Sequence, residues 1–179
     1  MVSLDLLSSL DGLLWLQSGS KVGALFQQHQ TTVSRNQKKC AQVLGITLGK
    51  YKNKWETHGD LTLLQLERKV HQAARMQGKS RLRIEVNRWL DSSLFNPPPS
   101  GWIAGATNNL SALHGIQCLK EHIIDACLCP LTELPPKLQD LAVIPLHINA
   151  EVGFVVLQQY AHQERILNLI TTLEQTSSA

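Results

Sequence analysis

The residues with the most usable chemistry lie close together between Thr31 and Lys39. Thr31, Thr32, Ser34, Arg35 and Asn36 offer short hydroxyls, a guanidinium and a carboxamide, and Lys38 and Lys39 follow. This set suits the reading of base edges. Arginine donates as a fork to guanine, asparagine both donates and accepts at adenine, and short hydroxyls let a helix lie deep in the major groove. Their spacing is helical. Val33, Cys40, Val43 and Leu44 supply an apolar stripe, which predicts a helix from about Thr31 to Leu44. Gly45 follows, as a glycine often does after a last helical turn.

A second, shorter helix must come before it. Ser20 stands ahead of Val22, Ala24, Leu25 and Phe26 and is a suitable helix start. Gly23 and Ala24 are small enough for another helix to cross nearby, and Gln27 to Gln30 break the pattern and supply a turn. Two helices joined by a tight turn, the second with short polar residues at its start, make a helix-turn-helix. An earlier apolar helix from Leu4 to Gln17, striped by Leu6, Leu10, Leu13 and Leu14 beside Trp15, would support the pair. After it, Ile46 to Glu56 reads as a short wing. Gly49 and Asn53 allow its turn, and the alternation predicts Lys50, Lys52 and Lys54 on one side, against phosphate.

At these residues the stretch resembles the N-terminal winged helix-turn-helix of LysR-type transcriptional regulators. The resemblance rests on Gly19-Ser20, Gly23-Ala24, Gln30, Val33-Ser34-Arg35 and Leu44-Gly45, and it runs without gaps from Leu4 to Leu48. Gln37 departs from it at an ordinarily apolar position, and Ala41 at an ordinarily acidic one. The wing is about three residues short. Together, the residue chemistry and the resemblance make Thr31, Thr32, Ser34, Arg35 and Asn36 the expected base and groove contacts. Gln30, Lys38, Lys39, Lys50, Lys52 and Lys54 are the expected phosphate contacts.

The charge distribution agrees. Residues 12–55 hold Lys21, Arg35, Lys38, Lys39, Lys50, Lys52 and Lys54 and no acid, whereas the chain of 179 residues carries a net charge of only +3, so the remainder is net acidic. A basic block in a mildly acidic chain is the electrostatic footprint of a nucleic-acid-binding domain. With 43% hydrophobic residues the chain can bury a core.

A long helix is predicted from Leu61 to about Gln77, with Leu63, Leu64, Leu66, Val70, Ala73 and Ala74 on a broad apolar face. The resemblance implies a linker helix that pairs two chains into a dimer; packing within one chain is the alternative. Gly78-Lys79-Ser80 ends it. Beyond lie strand patterns at Arg81–Val86, Trp102–Ala106, Ile124–Pro130, Leu141–Ile148 and Glu151–Leu157. Helical patterns cover Leu110–Ile123, with Leu113, Ile116, Leu119 and Ile123 inward, and His162–Glu174. The expected fold is α+β. A winged helix-turn-helix domain (1–59) leads to a dimerisation helix (60–79) and a small α/β domain (80–179). By resemblance the last is one lobe of a periplasmic-binding-like effector domain, opening on Leu82-Arg83-Ile84 and containing the Asp125 strand.

The function expected is sequence-specific regulation of transcription by a dimer on a dyad-symmetric site in double-stranded DNA. The C-terminal domain leaves room for a small-molecule effector or a protein partner. The competing class is a protein-interaction module that binds another regulator, with vestigial DNA contact. His114, Cys118 and His122, spaced by four and followed by Cys127 and Cys129, could ligate zinc or copper. Burial of free cysteines explains them more simply, so neither a metal nor another cofactor is expected. Catalysis is not expected either: the chain lacks a glycine-rich phosphate loop, a nucleophile elbow and a His-Glu-x-x-His. Without a signal peptide, a membrane span or a CxxC pair, the chain is expected in the cytoplasm.

Overall fold

The computed structural model of the chain describes residues 2–86, 95–107, 111–146 and 151–177. Three helices open it: α1 (Leu4–Leu16), α2 (Gly19–Phe26) and α3 (Gln30–Val43). An antiparallel hairpin of β1 (Thr47–Tyr51) and β2 (Lys54–His58) follows, then the long helix α4 (Thr62–Met76). The second half contains β3 (Leu82–Glu85), β4 (Trp102–Gly105), α5 (Ala112–Lys120), β5 (Ala126–Pro130), β6 (Leu141–Pro145), β7 (Val152–Leu157) and α6 (Glu164–Ser177). The expected start of α5 at Leu110 and the end of β6 at Ile148 lie outside the described residues.

The strands of the second half form one sheet in the order β4-β3-β5-β7-β6. β4, β3 and β5 run parallel, while β7 is antiparallel to β5 and to β6. Side chains alternate between the two faces. Leu82, Ile84, Trp102, Ala126, Leu128, Phe154 and Val156 pack toward α6, which buries Ile166, Leu169, Ile170 and Leu173. Each such side chain contributes roughly 1.5–3 kcal/mol when fully buried. Cys127, Cys129, Val155 and Leu157 face the other way, into a cluster shared with α5 and with Leu7, Leu10, Leu13, Leu14 and Trp15 of α1.

α1 is therefore enclosed between α2 and α3 on one side and α5 and the sheet on the other. Every residue from Leu7 to Leu16 is buried, including Ser8, Ser9 and Asp11. The serines on this buried helix and Asp11 Oδ1 have hydrogen-bond partners, while Asp11 Oδ2 has the Arg83 guanidinium 3.8 Å away. Ser9 Oγ donates to Asp5 O at 2.8 Å, and Arg83 Nη2 of the sheet donates to Ser8 Oγ at 2.8 Å. Trp15 Nε1 donates to Glu85, which also accepts from Thr107 N at 2.8 Å; burial raises the Glu85 pKa. Gly105 on β4 lies where the Trp15 ring approaches. An added Cβ would stand 2.6 Å from Cζ2 of that ring, so no larger residue fits without displacing it.

α4 reverses the usual arrangement. Leu64 apart, its middle buries polar and charged side chains, Arg68, Gln72 and Arg75. Arg68 Nε donates to Asp11 at 2.8 Å and its Nη1 to Glu121 at 3.1 Å. Gln72 Nε2 donates to Ile124 O at 3.0 Å. Arg75 donates to both carboxylate oxygens of Asp125, at 2.8 and 3.0 Å, and Asp125 also accepts from Arg83 N at 2.8 Å. Leu63, Leu66 and Val70 instead point to solvent, at 57%, 54% and 55% exposure. The predicted apolar face is thus divided. Leu64 departs from it by packing with 0% exposure into the same cluster as α1, and Ala73 and Ala74 are half-buried. Leu113 of α5, expected inward, is also exposed, because α5 turns Ala112, Gly115, Ile116 and Leu119 to the sheet.

Removing one partner from a buried, paired charge leaves the other uncompensated, at a cost of about 3–5 kcal/mol. Arg75→Ala is expected to lower stability by about that much in urea denaturation. A loss below about 1 kcal/mol, the range of exposed pairs, would mean that the pair is solvated in solution.

Candidate nucleic-acid interface

α2 begins two residues earlier than expected. Its N-cap is Ser18, not Ser20, and Ser18 Oγ accepts from Lys21 N. The chain then turns sharply. Gln27 adopts the left-handed conformation (φ 55°), and Gln28 N donates to Gly23 O at 2.8 Å. The role of Gly23 is closer to home than helix crossing: an added Cβ would meet the carbonyl oxygen of Gln28 at 2.7 Å. α3 starts at Gln30, and Gly45 (φ 67°) follows its end as the sequence predicts.

The buried face of α3 is rotated from the expected one. It comprises Val33, Gln37, Cys40, Ala41 and, just past the helix, Leu44; Val43 is turned out at 58% exposure. The cause is a polar anchor. Gln37 Nε2 donates to Ser9 O at 3.2 Å, so a glutamine occupies the core position with its amide satisfied. The outward face then centres on Arg35, with Thr31, Lys38, Lys39 and Gln42 around it by helical spacing, all exposed. Gln30, Thr32 and Ser34 are exposed on its flanks. Asn36 is half-buried and donates to Ser9 Oγ at 3.4 Å, so part of its hydrogen-bonding capacity is directed toward α1.

The hairpin is held beside this helix by Gln17, a residue without a sequence signal. Gln17 Oε1 accepts from Trp55 N at 2.6 Å, while Gln17 Nε2 donates to Leu14 O at 2.7 Å and to Trp55 O at 3.3 Å. The side chain thus imitates a neighbouring strand. The tip is the pair Lys52 and Asn53, both with positive φ (45° and 65°). That is the type I′ geometry matched to strand twist. The register corrects the expected placement of the lysines. Lys50 lies opposite Trp55, and Lys54 lies opposite Tyr51. Lys50 therefore shares the face of Leu48 and Trp55, Lys54 occupies the other face, and Lys52 projects from the tip. The Lys50 ammonium lies 5.2 Å from the Trp55 ring centroid, and that of Lys52 5.4 Å from the Tyr51 ring. A shallow groove of about 220 Å³ between α3 and the hairpin is lined by Gln30, Ser34, Lys38, Leu48 and Trp55.

Among the described residues, none of Arg35, Lys38, Lys39, Lys50, Lys52 and Lys54 enters a salt bridge. Their charge is available to an external anion. Lys21 differs: its Nζ donates to Ala106 O at 3.0 Å, against the sheet.

The metal candidates do not converge. His114 Nε2 donates to Trp15 O at 2.8 Å, with Cys118 Sγ 3.6 Å away, and burial pushes the Cys118 thiol well up. His122 has left the helix in a left-handed turn (φ 61°) and pairs with Gln72. Cys127 and Cys129 share a buried strand face, as alternation requires. Among the described residues no group of three His, Cys, Asp or Glu is placed to hold a metal ion. No helix in the same set is long and apolar enough to cross a membrane.

No protein-family model matches the chain, and no curated protein does. Solved structures resemble it at low identity. A full-length OxyR from Pseudomonas aeruginosa is 16% identical over 82% of this chain and 55% of its own, with a TM-score of 0.46. ArgP from Mycobacterium tuberculosis is 18% identical over 82% and 53%, with a TM-score of 0.39. CbnR, described as a LysR family transcriptional regulator, is 12% identical over 80% and 54%, with a TM-score of 0.35. The chain spans about half the length of the solved structures it matches.

The α2–α3 turn gives a direct test of this geometry. Gly23→Ala drives a methyl into a backbone carbonyl that cannot rotate away. It is expected to cost about 1–3 kcal/mol, read as a lowered midpoint in chemical denaturation. An unchanged midpoint would mean that the turn is more open than described.

Proposed function

We propose that this chain is a DNA-binding transcriptional regulator of the LysR type. On this reading α1–α3 and the hairpin are a winged helix-turn-helix, with α3 entering the major groove and the hairpin as the wing. The observation that carries the proposal is the outward face of α3. It is centred on Arg35, rich in hydroxyl and basic side chains, uncompensated by any acid between residues 12 and 55, and flanked by a lysine-bearing hairpin. Thr31, Thr32, Ser34 and Arg35 contact bases and groove walls, and Asn36 does so from the side of the helix. Gln30, Lys38, Lys39, Lys52 and Lys54 contact phosphates. Lys50, stacked on Trp55, approaches the backbone from the groove between helix and wing.

The protein acts as a dimer on this reading. Leu63, Leu66 and Val70 form an exposed apolar stripe at helical spacing on α4, with Ala73 and Ala74 continuing it. A second copy laid against that stripe would remove the apolar surface from water and set two recognition helices on half-sites of a dyad-symmetric operator. Leu64 has no part in the contact. The four cysteines Cys40, Cys118, Cys127 and Cys129 are free, which suits a reducing, cytoplasmic compartment.

The test is fluorescence anisotropy with DNA from the protein's own upstream region and with random DNA, at two salt concentrations. Arg35→Ala is expected to cost about 1–3 kcal/mol on the preferred DNA and to relax specificity. Lys52→Ala should weaken binding to all sequences alike and reduce the salt slope by about one. Equal losses from both substitutions on every DNA would reject these assignments. Sedimentation of Leu66→Glu tests the pairing, with a monomer expected. A monomeric wild type would instead turn the stripe toward a different protein.

A further inference from the structure

A cleft of about 700 Å³ lies away from α3 and the hairpin. Six of its lining residues carry the argument: Lys69, Lys120, His122, Asp140, Gln158 and Tyr160. Lys69 comes from α4, Lys120 ends α5, and His122 lies in the turn that follows it. Asp140 precedes β6, and Gln158 and Tyr160 form the short helical turn after β7. Two of the six, His122 and Asp140, hold left-handed backbone (φ 61° and 63°), a conformation costly for side chains other than glycine.

The His122 ring is oriented from behind. Gln72 is fully buried and its Nε2 donates to Ile124 O at 3.0 Å, which fixes the side-chain oxygen toward His122 Nδ1 at 2.6 Å. An amide oxygen only accepts, so Nδ1 carries the hydrogen. Among the described residues, Nε2 has no hydrogen-bond partner.

We propose that this cleft binds a small multivalent carboxylate, with Lys69 and Lys120 holding its separated charges and His122 Nε2 reading one of its polar groups. The choice of ligand follows from the donors. Phosphate sites favour arginine forks and backbone N–H groups at helix N-termini. Here no arginine lines the cleft. Two lysines on different helices suit an extended anion better than a compact one. Asp140, Gln158 and Tyr160 can hydrogen-bond hydroxyl groups on its body. The local field agrees: burial and then Lys69, Arg68 and Arg75 hold the His122 pKa below its ordinary value, against the opposing pull of Asp125.

The site also has a route to α4. A ligand on His122 is one hydrogen bond from Gln72, on the helix whose other side bears Leu63, Leu66 and Val70. Binding itself is read without DNA, so this proposal and the regulator reading fail separately.

The experiment is calorimetric titration of citrate into the full chain at constant ionic strength, with inorganic phosphate as the compact-anion control. Saturable binding of one citrate per chain is expected. Lys69→Ala and Lys120→Ala, both exposed positions, should each weaken it about tenfold while leaving the circular dichroism spectrum unchanged. In ¹⁵N spectra the His122 ring should report a hydrogen on Nδ1, and citrate should shift Nε2. A non-saturating signal, wild-type affinity in both variants, or phosphate binding as tightly as citrate would each overturn the assignment.

Discussion

The rest of the structure depends on the charged seam beneath α4. Arg68, Gln72 and Arg75, one helical turn apart, meet Asp11, Ile124 O and Asp125 across a buried boundary. Buried charges are tolerated only when paired and hydrogen-bonded, so each of these contacts admits little variation in geometry. The seam holds α4 in one rotation about its own axis. That rotation turns Leu63, Leu66 and Val70 outward and buries Leu64. An apolar seam of the same area would be less specific, because apolar contacts are not directional.

A second polar layer ties the first three helices to the sheet. Arg83 and Glu85 lie on β3 at positions that an alternating strand ordinarily presents to solvent, and both are buried. Arg83 reaches Ser8 Oγ and Ile123 O, and its guanidinium lies 5.3 Å from the Phe26 ring centroid. Desolvation, with the nearby Arg75, pulls its pKa down to about 9, against the support of Asp11 and Asp125. Glu85 receives Trp15 and Thr107. α1 is thus both the floor of the α2–α3 pair and a cover for the sheet. That double duty explains why it is buried on every side.

The same logic operates at a smaller scale in the N-terminal half. Gln37 and Gln17 are polar side chains doing work usually left to apolar packing or strand pairing. Gln37 sets the rotation of α3, and with it which residues surround Arg35. Gln17 holds the hairpin at the position of Trp55, and with it where the tip lysine projects. In both cases one directional contact decides which basic residues reach outward.

Much was legible in the sequence because it is local. The helices, the glycine stops at Gly45 and Gly78, the turn containing Asn53, the strands and the inward face of α6 follow from spacing and backbone preference, which act over a few residues. The basic block and its lack of acids are likewise plain in the chain. What required the tertiary structure was every choice between faces. Val43 turns out and Gln37 turns in because of a carbonyl on α1. Lys50 and Lys54 part company because of a hairpin register. The broad apolar run on α4 is divided, and three arginines are buried, because their acceptors lie 40 to 75 residues away in sequence. Periodicity tells which residues share a face. It cannot tell what that face meets, since the partner is brought there only by the rest of the fold.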